Sequence, residues 1–345
     1  MSDFLDEYIE NSFLKPLLSD RNITDISYNG SDIFYMHNFL GRQKANIKIS
    51  NEEALSFLRQ IANINNVGFS IKNPILDISF KKFRLNATYY TISSKEKRGC
   101  VTFSLRIFQN ELLIKNDDTF FDKRLNNLFL LFLKLRFSFL IAGLPSSGKS
   151  EFQKYLITLF SNNERILIID TINELDIEYK ENCDATIFVA DEFKNIHIYD
   201  LLKLSLRYNP DYLMIAEARG SEFEMILTSA LSGIGTITTL HARESKEIIT
   251  RAINMVEINN KNLDHGSIEK NLINYFNVLI YIEKTIDSNG NISRRVKSLD
   301  FYYDSKLYNI YSYSKELRSF KKLPEQFVKE FKEEIATSNI DEVFL

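Results

Sequence analysis

"IAGLPSSGKSEFQKYLITLF", residues 141–160, decides the fold. Within it Gly143, Leu144, Pro145, Ser146, Ser147, Gly148, Lys149 and Ser150 fit the pattern G-x-x-x-x-G-K-[ST], whose glycines let successive backbone N–H groups turn inward around a phosphate. The helix expected next offers its positive end to the same anion. Lys149 is then suited to bridge the β- and γ-phosphates of a nucleotide, and the Ser150 hydroxyl to take one Mg²⁺ position. The context agrees: "FSFLIA" reads as a preceding strand, and Phe152, Tyr155, Leu156, Leu159 and Phe160 form the stripe of a helix packed on a sheet.

Working outward, strand, loop and helix repeat from about residue 120, the mark of βαβ units and a parallel sheet. Strands are expected at 137–142, 166–169, 212–216 and 236–240. "SEFEMILTSALSG" reads as a helix that opens with a capping box at Ser221 and Glu224 and stops near Gly233. After about 275 the pattern predicts an antiparallel hairpin around "SNGN", then a charged tail with a helix over 325–335. There Phe327, Val328, Phe331 and Ile335 form an apolar stripe that suits either its own domain or a neighbouring subunit. Residues 1–112 read as a smaller α+β domain, with a hairpin at Asn29-Gly30 and a capped helix beginning at Ser50 and Glu53. Residues 113–122 are the expected linker and 123–345 the second domain.

The composition sets bounds. With 43 basic and 46 acidic residues the formal charge is -3, so no net field draws nucleic acid, and direct sequence-specific nucleic-acid binding is not expected. Two cysteines are too few for a disulfide framework or a zinc cluster, which points to a reducing cytoplasm. The apolar stretch 128–142 is cut by Lys134 and Arg136, and the acidic start "MSDFLDEYIEN" is unlike a signal peptide. No membrane span is expected, although docking on a membrane remains open.

Ligands of open parallel sheets bind at the carboxyl ends of the strands, which directs attention to polar residues that close apolar runs. "RILIID" ends at Asp170 with Glu174 four residues on, "DYLMIAE" ends at Glu217, and "TITTLH" ends at His241. A carboxylate after five apolar residues needs a partner to offset its desolvation. For Glu217 that partner is either Mg²⁺ with an attacking water or an ordinary salt bridge to Arg219 or Arg207. His241 suits a loop brace as well as a ligand-sensing role.

These segments, in this order, resemble the secretion ATPase superfamily, and most closely the traffic ATPases of type IV secretion and conjugation systems. "GLPSSGKS" is similar to that family's Walker A motif, "DTINEL" to its Asp box, "LRYNPDYLMIAEARG" to its Walker B segment and "GTITTLHA" to its His box. "NITDISYNG", "NPILDISFKKFRLNA" and "FSLRIF" are similar to its N-terminal domain. The resemblance implies an α/β fold, a RecA-like P-loop ATPase domain with a smaller N-terminal α+β domain. It implies that Glu217 is the catalytic glutamate, that Glu174 and Asp170 stand near metal and water, and that His241 senses the γ-phosphate side. Arg84 and Arg106, which alone read as surface charges, would reach the phosphates from the N-terminal domain. Arg207 and Arg219 would act at a subunit interface or brace the site. Ile169 stands where the family's Asp box has an acidic residue, Ala216 where it has glycine, and Pro145 removes one N–H from the loop.

The function so implied is an ATP- and Mg²⁺-dependent homohexameric motor, cytoplasmic and peripheral at the inner face of the cytoplasmic membrane. It would work with inner-membrane secretion complex components to energise assembly of a type IV secretion or conjugation apparatus, or substrate transfer through it. The alternatives are a type II secretion or type IV pilus motor, and a nucleotide-binding structural ring with little turnover. A DNA-translocating motor fits the charge balance poorly.

Overall fold

The computed structural model describes residues 2–80, 82–90, 92, 94, 95, 98–108, 112–171, 175, 183–191, 195–258 and 264–345. The chain forms two compact units, Met1–Asn110 with Ile286–Ser293, and Glu111–Thr285 with Arg294–Leu345.

In the first unit the order is α1 (Ser2–Glu10), α2 (Lys15–Leu18), β1 (Ile23–Tyr28), β2 (Ile33–His37), β3 (Gly41–Lys44), α3 (Asn51–Ile64), β4 (Ile75–Ser79), β5 (Phe83–Thr88), the short pair β6 (Ser94–Lys95) and β7 (Arg98–Gly99), and β8 (Thr102–Ile107). Six of these strands make an antiparallel sheet in the order β3-β2-β1-β8-β5-β4. Period-2 alternation sends Ile26, Leu85 and Leu105 into one core with Phe57, Leu58 and Ile61 of α3, leaving the other face polar. The capping box is present: Ser50 Oγ accepts from Glu53 N (3.1 Å) and Glu53 Oε2 from Ser50 N (2.7 Å). The β1–β2 hairpin forms as expected. Gly30 takes φ +93°, while Asn29 Oδ1 caps the turn by accepting from the N–H groups of Ser31 (3.1 Å) and Asp32 (2.9 Å).

The second unit contains α4 (Leu125–Lys134), β9 (Phe139–Gly143), α5 (Lys149–Leu159), β10 (Arg165–Asp170), β11 (Asp184–Val189), α6 (Ile198–Ser205), β12 (Tyr212–Ile215), α7 (Phe223–Leu231), β13 (Gly235–Leu240), α8 (Ile248–Glu257), α9 (His265–Tyr275), β14 (Val278–Ile286), β15 (Ile292–Tyr303), β16 (Lys306–Ser314), β17 (Leu317–Phe320), α10 (Glu325–Glu330) and α11 (Lys332–Thr337). Its sheet runs β11-β10-β12-β13-β9-β14-β15-β16-β17, parallel from β11 to β14 and antiparallel from β15 to β17. The four expected strands are its centre. β11 lies outside that expectation, and the late hairpin joins the same sheet. The strands are apolar on both faces because both are covered. Phe139 and Ile141 pack with Phe129 and Phe152 of α4 and α5, while Leu140 and Ala142 pack with Phe223, Ile253 and Leu272 of α7, α8 and α9.

Two local expectations change. α7 is not opened by a Ser221–Glu224 capping box: Glu222 is its N-cap residue and no side chain caps it. Glu224 N turns to the Ser221 carbonyl (3.4 Å) rather than to its hydroxyl, and the Glu222 carboxylate braces the turn before the helix through the N–H groups of Arg219 (2.6 Å) and Gly220 (2.9 Å). The tail helix is broken at Phe331 into α10 and α11. Its stripe covers its own unit, with Phe327 fully buried and 5.1 Å from the Phe301 ring centroid.

Asp122 fastens the start of this unit to its last strand. The buried carboxylate accepts from Arg124 Nε (2.8 Å) and Nη2 (2.9 Å) and from Arg318 Nη1 (2.6 Å). These partners, Arg124 foremost, hold its carboxyl well below the ordinary range. A depressed folded pKa contributes stability above the unfolded value near 4 and loses it as pH falls toward the folded one. Asp122→Asn is therefore expected to cost about 1–3 kcal/mol in urea unfolding at pH 7. The gap to wild type should narrow below about pH 4.

Candidate active site

The phosphate-loop motif forms the turn its residues require. Gly143 ends β9 pressed against its neighbour: a Cβ there would lie 2.5 Å from the Ile282 carbonyl of β14 and 2.5 Å from Ser147 Oγ. Ser146 and Gly148 adopt φ +59° and +101°, turning the chain so that α5 starts at Lys149. Phe120 lies behind the turn, its Cε2 3.1 Å from where a Cβ on Gly148 would stand. Lys149 is buried at 7% exposure, and its Nζ donates to the carbonyls of Gly143 (3.1 Å) and Leu144 (3.2 Å).

The same ammonium reaches His241 Nδ1 at 3.1 Å. Toward this ammonium Nδ1 accepts and Nε2 carries the ring hydrogen, whereas toward the Gly143 carbonyl, 3.2 Å away, the same nitrogen would donate. The Nε2 hydrogen points to Glu217 Oε1 at 2.6 Å, and the other carboxylate oxygen accepts from Arg219 Nε at 2.6 Å. One chain of contacts, Lys149–His241–Glu217–Arg219, thus runs from the loop to the end of β12. The parallel register builds it: β12 and β13 pair Ile215 with Thr238, Ala218 N donates to Thr239 O (2.8 Å), and Thr239 Oγ1 donates to Ala216 O (2.8 Å). Gln153, buried in α5, donates to Ile215 O (2.9 Å), and Arg251 Nε to His241 O (3.2 Å).

Other expected residues fall in several places. Ser150 is in the first turn of α5, and Leu144 and Pro145 are exposed on the loop. Asp170 ends β10, buried, with Oδ1 accepting from Thr171 N (2.6 Å) and Oδ2 from Leu175 N (2.9 Å). Glu174 lies outside the described residues. Among the described residues no three His, Cys, Asp or Glu side chains cluster as a metal cage. The hard oxygens of Ser150, Asp170 and Glu217 suit Mg²⁺, which keeps most of its waters and relies on substrate phosphates. Arg207 is exposed in the turn preceding β12, at the opposite end of that strand from Glu217. Arg84 and Arg106 are direct Cα partners across β5 and β8 on the polar face of the first unit. Arg84 Nη2 binds Asp77 Oδ2 (3.1 Å) and Arg106 Nε binds Asp25 Oδ1 (3.2 Å).

Sequence reasoning missed Gln153, Arg251 and Arg294, whose Nε donates to Ser146 O at 2.8 Å. Gln153 did carry a signal, a polar residue inside an apolar stripe. Arg294 carried none, since it comes to the loop from a strand nearly 150 residues later.

Residues 84–275, more than half of the chain, match the family described as type II/IV secretion system protein. The chain belongs to this secretion ATPase family. An uncharacterised Bacillus anthracis protein is 28% identical over 302 residues, 84% of this chain and 66% of that one. The type IV secretion system protein VirB11 of Bartonella quintana is 28% identical over 177 residues, 50% of this chain and 48% of that one. The chain thus spans at most 66% of the length of these two curated relatives. The Legionella pneumophila ATPase DotB shares the fold, with TM-score 0.66 at 18% identity, covering 85% of this chain and 80% of that one. Family membership and fold agree with the α/β P-loop architecture described above.

The close approach at Gly143 makes the secretion ATPase loop intolerant of a single methyl group. Gly143→Ala is expected to cost about 1–3 kcal/mol through overpacking. Gly220→Ala, whose added Cβ would meet nothing nearer than Glu222 Oε2 at 3.4 Å, should change urea stability by less than about 0.5 kcal/mol.

Proposed function

We propose that this secretion ATPase family member hydrolyses ATP. The observation that carries the reading is the chain Lys149–His241–Glu217, which links a phosphate loop to a carboxylate able to take a proton. In the proposed reaction the amides of 143–150 and Lys149 hold the triphosphate, with Lys149 exchanging its contacts to the Gly143 and Leu144 carbonyls for phosphate oxygens. A water attacks the γ-phosphorus, its proton passes to Glu217, and the bond to the β–γ bridging oxygen breaks, giving ADP and phosphate. Mg²⁺, held by Ser150 with Asp170 and Glu174 on the water side, would neutralise charge on the phosphates. Once the terminal phosphate draws Lys149 away, His241 is left to report its presence to Glu217. Arg219 holds Glu217 oriented, and Arg207 serves a subunit interface.

Residues 1–112 and 123–345, joined by 113–122, are proposed as domains that close on the nucleotide when Arg84 and Arg106 exchange Asp77 and Asp25 for the γ-phosphate. Their side-by-side placement supports a concerted grip. A homohexameric ring of such subunits, peripheral at the inner face of the cytoplasmic membrane, would turn this closure into work for a type IV secretion or conjugation apparatus. The similarity to VirB11 supports that branch over a type II secretion or type IV pilus motor. No helix among the described residues is long and apolar enough to cross a membrane, so such association would be peripheral or through partners.

Glu217→Gln keeps an oxygen that accepts from His241 and removes the proton acceptor. Phosphate release should fall by about 10²–10⁴-fold while ADP binding persists. Equal phosphate release from the wild type and this variant would instead identify a nucleotide-binding ring with little turnover, a reading that Ile169 and Pro145 favour.

A further inference from the structure

The backbone on either side of Glu217 is held from two directions. Thr239 of β13 takes it at two points, its Oγ1 donating to Ala216 O (2.8 Å) and its carbonyl accepting from Ala218 N (2.8 Å). Gln153 of α5 takes it at a third, its Nε2 donating to Ile215 O at 2.9 Å. Where the Glu217 side chain starts is therefore set by the strand that leads to His241 and by the helix that begins with Lys149 and Ser150. Gln153 is costly in this place. It is fully buried beside the apolar Phe152 and Leu156 of the same helix, and its Oε1, also buried, meets no hydrogen-bond donor among the described residues. A buried acceptor without a donor costs free energy that an apolar side chain would not. Methionine has similar length and helix propensity, and Ile215 pairs with Thr238 in the β12–β13 ladder whatever stands at 153. Packing thus gives no reason for an amide here, and the group that uses it is the carbonyl two residues before Glu217.

We propose that Gln153 is a positioning residue: through the Ile215 carbonyl it keeps Glu217 in register with the phosphate loop while a nucleotide is bound. Two links join the loop helix to the end of β12, and a phosphate affects them differently. The Lys149–His241–Glu217 link opens as Lys149 turns to phosphate oxygens, whereas the Gln153–Ile215 link involves neither Lys149 nor His241 and stays. The inference rests on Glu217 being the proton acceptor of ATP hydrolysis, and it adds a residue outside the motif segments on which the aim of that carboxylate depends. A small misplacement of a reacting group slows the chemical step far more than it weakens ground-state binding. Loss of the amide is therefore read in kcat and not in KM.

The test compares the full chain as wild type, Gln153→Met, Glu217→Gln and the double variant by urea unfolding, ADP calorimetry and steady-state ATP turnover. Gln153→Met is expected to unfold at a urea midpoint equal to or above that of wild type, since it removes an unpaired buried oxygen. Its ADP affinity and KM should stay within about twofold of wild type while kcat falls by about tenfold. Because Gln153 acts through Glu217, adding Gln153→Met to Glu217→Gln should change the residual rate by less than about twofold. A lower urea midpoint, or failure to fold, assigns the amide to the fold and overturns the inference. A tenfold loss that persists in the Glu217→Gln background overturns it too, because the amide then acts elsewhere. Equal kcat in wild type and Gln153→Met, both well above Glu217→Gln, sinks this inference alone; a wild type no faster than Glu217→Gln sinks the hydrolysis reading and this inference with it.

Discussion

The contacts of one buried ammonium organise the second unit. Lys149 is almost removed from water, and a lysine there must find several oxygen or nitrogen acceptors or surrender its charge. Gly143 O, Leu144 O and His241 Nδ1 supply them, from the end of β9, the loop and the end of β13. With Nδ1 accepting from the ammonium, the imidazole carries its hydrogen on Nε2, aimed at Glu217. The loop, the His box and the Walker B carboxylate are thus one electrostatic arrangement. The same fact explains why a phosphate should matter to residues that do not touch it: whatever takes Lys149 away from Nδ1 changes what His241 offers Glu217.

The close approach of β14 to β9 is the second constraint. Gly143 is required because the Ile282 carbonyl and Ser147 Oγ already occupy the space a Cβ would need. The first glycine of the motif is therefore set by a strand whose residues come about 140 positions later. That strand, with β15, belongs to the hairpin that reads in sequence as an appendix after the ATPase core. It is the side wall of the loop, and this is how Arg294 comes to hold Ser146.

What was legible in the sequence follows from range. The loop, the four central strands and the Ser50 box depend on residues within a few positions, and local pattern found them. Glu217 and His241 were found because a polar group at the end of an apolar run is a local signal too. Their mutual 2.6 Å contact is set by the register of β12 on β13, which no spacing along the chain encodes. β11 was missed because "DATIFV" is short and only half-buried at the sheet edge. The Ser221 box does not form because the helix starts one residue later, at a Glu222 N-cap, and Glu224 N bonds the Ser221 carbonyl. The tail stripe could not be assigned until Phe132, Phe137 and Phe301 were seen to lie beneath it.

The polar face of the first unit shows the same limit in another form. Alternation alone exposes Arg84 and Arg106, and from the residues they read as surface charges. Antiparallel register makes them direct partners, with Asp25 opposite Arg106 on the next strand and Asp77 within reach of Arg84. Two guanidinium groups side by side repel, so each needs an anion, and these carboxylates are the ones the chain provides. Both pairs are partly open to water, where an ion pair is worth about 0–1 kcal/mol. Contacts that weak keep the arginines extended and ordered at little cost to exchange. Ion pairs this exposed exchange partners readily, whereas a deeply buried pair would resist exchange.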